Sequence, residues 1–388
     1  MRLVASKLLQ IFTQSRYLKR YDTSLKTVCN NSVENLGWRV WSFGIKPRTI
    51  FTHATENYVK LKSKDFHVNP GFGILHVNGG VDFVIKPTNV QEYPDADRAF
   101  INIYGLPSVS CEGINVESTG LLKDILTVTA TPESSNIYCE VQVPVKYDLD
   151  VKLQDEASVQ ILGMEADEVN VLTEKGEMKT KGLKSHNIHI KTDHGNITAE
   201  GTLQGNIFIN AKTTHLKAKR LQGLMLDIEA EELSTAVESS YMNQGRISAK
   251  NGNIVISNLH GCTDLLLKKG QIVVSGFHGQ IAGYIGSGKV NVQITDILGD
   301  STLHLNKGTM VLSVIEDPRH DLEVTAPSLD VSKEIMMTGM TSASSNHTFT
   351  FIKNKNPEAS TLKATVIDGS AQMWHNRTTL EINEILCK

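Results

Sequence analysis

The sequence lacks the features that mark disulfide scaffolds, zinc sites and membrane spans. Its five cysteines are scattered and odd in number, and none forms a C-x-x-C pair, which excludes a disulfide framework or a zinc site. We expect reduced, mostly buried thiols instead. No run approaches the ~20 apolar residues that a membrane-spanning helix needs. The net charge of −3 gives no basic surface for nucleic acid, so we expect no nucleic-acid partner.

Proline is absent from the whole stretch between Pro144 and Pro318, although the chain contains ten prolines. Proline cannot donate a backbone N–H, so it is excluded from the interior of a hydrogen-bonded strand ladder. The long gap therefore favours a continuous β structure over this part of the chain.

Two short phrases repeat within roughly residues 169–314, each with a period of about 19 residues. The first is a glycine, a polar residue and an apolar residue, and it begins at Gly176, Gly195, Gly252, Gly270, Gly288 and Gly308. The second runs half a period out of step and ends at Gly205, Gly223, Gly261 and Gly279. Apolar residues alternate after the first phrase, as in Ile272 and Val274, which indicates a strand with one buried face.

A unit of this length cannot bury its own apolar face, but stacked units can. The repeats therefore predict an all-β fold, a single-stranded parallel β-solenoid (right-handed β-helix) of about 19 residues per rung with β caps at both ends. A β-sandwich is the alternative, and it is less favoured because it does not require turns in a fixed phase. The expected organisation is residues 1–30 as a transit peptide or disordered segment, 31–150 as an N-terminal β lead-in and cap, 151–315 as the repeats, and 316–388 as a C-terminal β cap. The segment from Glu229 to Gln244 is rich in glutamate, and we expect a loop or a distorted coil there.

The order of these pieces resembles the "putative adhesin" domain family, a β-solenoid family. The match covers roughly residues 66–315, and its motifs are Gly73–Val77, Val81–Ile85, Val143–Val145 and Tyr147–Val151. With its transit-like N-terminus the chain looks like the vertebrate-type member of that family. The resemblance implies an adhesin-like interaction protein and supplies no catalytic, cofactor-binding or metal-binding residues.

The N-terminus has the composition of a targeting segment. Residues 1–30 hold six basic residues and one acidic residue, which leaves 33 basic and 41 acidic residues in the rest of the chain. Apolar residues interspersed with basic and hydroxyl residues fit a mitochondrial transit peptide. A secretory signal fits less well, because Lys7 and Gln10 interrupt its apolar core. A cytoplasmic protein with an untargeted tail is the other alternative.

Two short patterns imitate ligand sites. Gly283 to Lys289 resembles a phosphate-binding loop, but Val290 stands where Ser or Thr would hold Mg²⁺, so we interpret its glycines as turn residues. His260 and His278 share one phase of the repeat with Gln204 and Gln222. Stacked histidines could bind a metal, but no third ligand is evident. We expect a solvent-facing ladder and no metal or cofactor.

Solenoid enzymes that cleave polysaccharides use carboxylates clustered on one face, so we asked whether this chain has such a cluster. The nearest acids to such a face are Asp193, Glu200, Asp227 and Glu229, and they do not recur in one phase. The leading hypothesis is therefore a non-catalytic structural or protein-interaction module that is not an enzyme. A carbohydrate-active solenoid enzyme of the lyase or glycosidase type, and a secreted adhesive module, are the alternatives.

Overall fold

The structure is a computed structural model, and it describes residues 58–131, 136–314, 320–332, 339–342, 347–351 and 360–375. The described residues all fall within one compact unit, residues 48–376. They contain strands and turns, with no helix in the described ranges. No helix long and apolar enough to cross a membrane occurs there. The segment 1–30 and the predicted strand near residues 379–385 lie outside the described residues.

Nineteen strands make up the described part of the chain. The first nine are β1 (Val59–His67), β2 (Ile74–Gly79), β3 (Asp82–Pro87), β4 (Arg98–Gly105), β5 (Ile114–Thr119), β6 (Ile125–Ala130), β7 (Ile137–Val143), β8 (Asp148–Leu153) and β9 (Val159–Leu162). The other ten are β10 (Glu165–Thr173), β11 (Met178–Lys181), β12 (Leu183–Thr192), β13 (Ile197–Ile297), β14 (Ser301–Val314), β15 (Asp321–Ala326), β16 (Ser328–Val331), β17 (Gly339–Ser342), β18 (His347–Phe351) and β19 (Thr361–His375).

The middle of the sheet brings residues about 19 apart in sequence side by side. Val169 of β10 pairs in parallel with Ile188 of β12, and Ile188 pairs with Ile207 of β13. All three side chains are fully buried, because alternate residues point into one continuous core. The long strand β13 continues in the same way, and we call each stretch of about 19 residues within it a pass.

The predicted single-stranded parallel β-solenoid, or right-handed β-helix, with separate β caps is wrong. All nineteen strands belong to one mixed sheet that nearly closes on itself. Antiparallel pairs join β1 to β4, β4 to β7, β5 to β6, β15 to β18 and β17 to β18. The spacing also fails to stay uniform, because Met310 of β14 pairs with Ala371 of β19, 61 residues later.

The reason lies in the parts of the chain that do not repeat. The repeated phrases occur between residues 169 and 314, and every antiparallel pair lies outside that interval. A parallel stack leaves unpaired N–H and C=O groups at its ends, and an open edge invites aggregation. Hairpins such as β5–β6 pair those groups within the same sheet instead of forming separate caps.

The glycines of the first phrase form a column, as their period predicts. A Cβ added to Gly270 would lie 1.8 Å from the carbonyl oxygen of Gly252, and one added to Gly288 would lie 1.7 Å from that of Gly270. Gly270 and Gly288 both have φ of 144°, in the range that favours glycine. Ile254, Ile272 and Val290, two residues after the glycines, are buried in the core.

Two smaller expectations fail. Residues 229–244 are strand throughout β13 rather than a loop, and their glutamates alternate with buried residues such as Ala230 and Leu233. Cys111, Cys139 and Cys262 are free thiols, as predicted, but only Cys139 is buried. Burial, with a smaller contribution from Glu140, raises the pKa of the Cys139 thiol to about 12, so this thiol stays protonated at neutral pH.

Candidate binding surface

The segment that resembles a phosphate-binding loop, Gly283 to Lys289, is part of strand β13. Gly288 and Lys289 lie within β13, and they pair in parallel with Gly308 and Thr309 of β14. A phosphate-binding loop must lead from a strand into a helix, where free N–H groups meet the phosphate. Here the backbone continues as strand on both sides, so Gly288 serves close packing between passes, as we interpreted it from the sequence.

The two histidines of the second phrase lie next to each other on neighbouring passes, as their shared phase predicts, with their rings tilted by 49°. The ring centroids of His260 and His278 are 5.4 Å apart. The structure extends this pair in both directions. Tyr241 stacks on His260 with centroids 4.6 Å apart, and the Arg220 guanidinium lies 5.8 Å from the centre of the Tyr241 ring. At the other end, Nδ1 of His278 lies 3.9 Å from Oδ2 of Asp296.

We call these five residues, Arg220, Tyr241, His260, His278 and Asp296, the ring ladder. Parallel pairing places residues one period apart on neighbouring strands, about 4.8 Å apart, which is the distance at which aromatic rings stack. The two histidines were predicted from the sequence, whereas Arg220, Tyr241 and Asp296 were not. Their spacing of 18 to 21 residues was the feature that could have identified them.

The electrostatics of the ring ladder favour uncharged rings at its centre. Burial lowers the pKa of His260, and the neighbouring His278 lowers it further. A neutral imidazole can lie between Tyr241 and His278 without repulsion. The positive charge of Arg220 lies at one end of the ring ladder and the carboxylate of Asp296 at the other. The ring ladder therefore places three rings in a row between two opposite charges.

The structure places the other predicted candidates as follows. Gln204 pairs in register with Lys184, and Gln222 is exposed. Oδ2 of Asp193 forms an ion pair with Nζ of Lys212 at 3.0 Å, while Glu200, Asp227 and Glu229 lie along β13. Across the described ranges, no three His, Cys, Asp or Glu side chains are grouped so that they could hold a metal ion.

Exposed apolar side chains follow Arg220 along the same strand. Leu224 is 65 % exposed and Met225 is 42 % exposed, and both follow Arg220 on the same pass of β13. Tyr241, on the next pass, is 43 % exposed. The contact between Arg220 and the Tyr241 ring shows that the two passes are neighbours. We call Arg220, Leu224, Met225 and Tyr241 the Tyr241 patch.

Comparisons with known proteins give a limited result. No family model matches the chain. Solved structures to which it is similar include a putative adhesin from Parabacteroides distasonis, with 12 % identity over 80 % of this chain and 96 % of that chain and a TM-score of 0.31. A putative adhesin from Parabacteroides merdae has 10 % identity over 81 % and 96 %, with a TM-score of 0.29. A putative cell adhesion protein from Clostridium sporogenes has 9 % identity over 81 % and 99 %, with a TM-score of 0.19. These descriptions name the class that the sequence resembles, but TM-scores below 0.5 carry no argument about fold or function.

Proposed function

We propose that this chain is a non-catalytic, adhesin-like interaction protein that binds a protein partner through the Tyr241 patch. The observation that carries the proposal is the exposure of Leu224, Met225 and Tyr241 on neighbouring passes of a rigid sheet. Tyr, Met and Arg are enriched in the centres of protein interfaces, and Tyr and Arg dominate the residues whose loss weakens binding most. The Tyr241 patch contains all three residue types.

Rigidity supports the same assignment. Tyr241 is held between Arg220 and His260, so its ring loses little conformational freedom when a partner covers it. A surface that is already ordered avoids part of the entropy cost of association. The remaining ring edges of His260 and His278 would lie at the rim of such an interface, where polar groups and water are usual.

Site-specific photo-crosslinking tests this function in cells. A photoreactive phenylalanine analogue at Leu224 should give a discrete crosslinked adduct, while the same analogue at Ile367, which is 56 % exposed elsewhere, should give none. Tyr241→Ala in the Leu224 background should remove the adduct, because losing such a residue weakens binding by ~2 kcal/mol or more. Equal adducts at both positions, or an adduct that Tyr241→Ala leaves unchanged, would exclude the Tyr241 patch as the interface.

We also propose a mitochondrial location, supported by the basic, acid-poor composition of residues 1–30. The test compares a C-terminally tagged full-length chain with one that lacks these residues. Full-length protein should localise to mitochondria and the truncated protein to the cytosol. Import of the truncated protein would contradict the transit-peptide interpretation.

A further inference from the structure

A second side-chain cluster lies on the outer face of β4, β7 and β3, away from the repeats. Alternate residues of β4 and β7, such as Ile101 and Val141, point into the core. The residues between them point outward, and register places them in rows. Phe100 pairs with Gln142, Asn102 with Glu140, and Tyr104 with Tyr138, while β3 adds Asp82, Val84 and Lys86 beside the residues of β7. We call this array the Tyr138 face.

The centre of the Tyr138 face is a fixed polar network around Glu140. Nδ2 of Asn102 donates to Oε1 of Glu140 at 3.1 Å, and Nε2 of Gln142 donates to the same oxygen at 2.8 Å. Nζ of Lys86 lies 2.7 Å from Oε2 of Glu140. Asn102 is only 5 % exposed, and its Oδ1 accepts a hydrogen bond from Ser63 Oγ at 2.8 Å. The network is therefore held in one geometry before any ligand arrives.

Aromatic rings lie at both ends of this network. The rings of Tyr104 and Tyr138 stack with centroids 4.9 Å apart, and Tyr58 contacts Tyr138 edge-on at 5.8 Å. At the other end, Phe100 packs against Tyr93 with centroids 4.8 Å apart. Because Phe100 and Tyr104 are four residues apart on one strand, the two aromatic groups lie roughly 13 Å apart along β4.

The polar groups between the rings keep hydrogen-bonding capacity for a ligand. An ammonium group has three N–H donors and an amide has two donors and an acceptor, so Lys86 and Gln142 are not saturated by their bonds to Glu140. The side chain of Lys86 is 35 % exposed, so its remaining donors can reach solvent. Lys86 thus offers donors, and Gln142 a donor and an acceptor, beside Phe100.

We propose that the Tyr138 face binds a neutral oligosaccharide. Sugar hydroxyls both donate and accept hydrogen bonds, which matches the mixed groups of Lys86 and Gln142, and the C–H face of a sugar packs against aromatic side chains. Two aromatic groups separated by the polar network match a short oligosaccharide rather than a single sugar. This site lies on different strands from the Tyr241 patch, so the proposal goes beyond the protein-binding function and does not depend on it.

Charge and polarity distinguish this ligand from other classes. Lys86 and Glu140 form an ion pair, so the centre carries no net charge and offers no unpaired cation that would favour a phosphate or sulfate group. The centre of a protein interface is depleted of charged residues, whereas the centre of this face is an ion pair with two amides. A sugar, which is polar at every hydroxyl, suits such a centre better than an apolar protein anchor.

The experiment probes the purified full chain with an array of neutral, sialylated and sulfated oligosaccharides, followed by calorimetry on the best-bound sugar. We expect the chain to retain a neutral oligosaccharide. Tyr138→Ala should weaken its binding at least tenfold, and Gln142→Ala should weaken it severalfold. Tyr284→Ala is the matched control, because Tyr284 is an exposed tyrosine of β13, and it should bind as the unmodified chain does.

Several results would overturn the proposal. They are retention of no sugar, retention of charged sugars only, or unchanged binding in both Tyr138→Ala and Gln142→Ala. Gln142→Ala removes one hydrogen bond to Glu140, so urea unfolding first establishes that the variant is folded under the binding conditions, and loss of binding then reports on the site and not on folding. Crosslinking at Leu224 is measured separately, so failure of either proposal leaves the other standing on its own result.

Discussion

Replacing Gly270 by alanine gives the sharpest test of how neighbouring passes pack. Gly252, Gly270 and Gly288 lie one above another, and the space beside the α-carbons of Gly270 and Gly288 is filled by the carbonyl of the glycine before each of them. A Cβ at Gly270 would lie 1.8 Å from the carbonyl oxygen of Gly252. That oxygen belongs to the backbone, so it cannot turn away as a flexible side chain could.

Two costs add at this position. The φ of 144° lies outside the range that residues with a Cβ adopt readily, which costs on the order of 1–3 kcal/mol. The contact with Gly252 then forces one pass away from the next and weakens backbone hydrogen bonds, each worth about 0.5–1.5 kcal/mol. We expect Gly270→Ala to lower the free energy of unfolding by about 3–5 kcal/mol.

Gly182→Ala is the matched control, because Gly182 also has positive φ, 67°, but a Cβ there would meet nothing within 4 Å. It should cost only the backbone strain, on the order of 1–2 kcal/mol. Urea unfolding followed by circular dichroism measures both variants. If the two free energies differ by less than ~0.5 kcal/mol, contact between passes does not limit this column, and the reasoning is refuted.

Four further substitutions test burial and charge by the same urea measurement. Ile272→Asp should cost several kcal/mol because it buries an unpaired carboxylate, whereas Gln271→Ala should stay within about 0.5 kcal/mol; the reverse order would mean that the strand faces the other way. Ser240 is 1 % exposed and its Oγ has no partner among the described residues, so Ser240→Ala should stabilise the fold by about 1 kcal/mol, and a loss of that size would contradict this. Burial acts to raise the pKa of Glu140, but hydrogen bonds from its neighbours outweigh it, and the pKa lies below its usual value of 4.5. This carboxylate therefore stabilises the fold above about pH 4.5, and the stabilisation is lost as the pH falls through the lowered pKa. Glu140→Gln should therefore reduce the decrease in the free energy of unfolding at acid pH. An unchanged dependence of that free energy on pH would contradict this reasoning.

The repeating part of the chain could be predicted in detail because each residue is constrained by its equivalents one period away. Gly252 and Gly270 must both be small, since each approaches the next backbone closely. Ile272 must be apolar because the core continues past it. The same logic identified the neighbouring positions of His260 and His278. Because the requirement for a small or an apolar residue recurs in each repeat, a single sequence shows that requirement at several positions.

The glutamate-rich segment was predicted wrongly as a loop, although it follows the alternation of the strand. The charges between Glu229 and Gln244 suggested a loop, but charged residues at alternate positions of a strand point to solvent and leave the inner face apolar. Nζ of Lys250 lies 2.8 Å from Oε1 of Glu231 on the neighbouring pass. The irregularity appears inside the core instead. A small cavity of about 10 Å³ is lined there by residues that include Thr235 and Ser240.

The mixed sheet and the Tyr138 face could not be predicted, because both depend on strand pairings that do not follow the repeat period. Asn102 and Glu140 are 38 residues apart, and only the antiparallel register of β4 and β7 brings them together. Nothing in the sequence around Tyr104 specifies that its partner is Tyr138. Non-repeating flanks leave many registers open, and the choice among them is made by tertiary packing.

Strand β1, at the first end of the sheet, is protected against pairing with a strand of another chain. Strand β1 pairs with β4, and no strand of the described ranges pairs in register with its other side. Lys62 and Lys64 of β1 are in register with Ile103 and Ile101, which point toward the core. Charged residues on the inward side of an edge strand prevent another chain from adding to the sheet, because the added strand would bury them. A partner is thus denied backbone pairing at this edge, whereas the Tyr241 patch and the Tyr138 face offer it side chains on the outer faces.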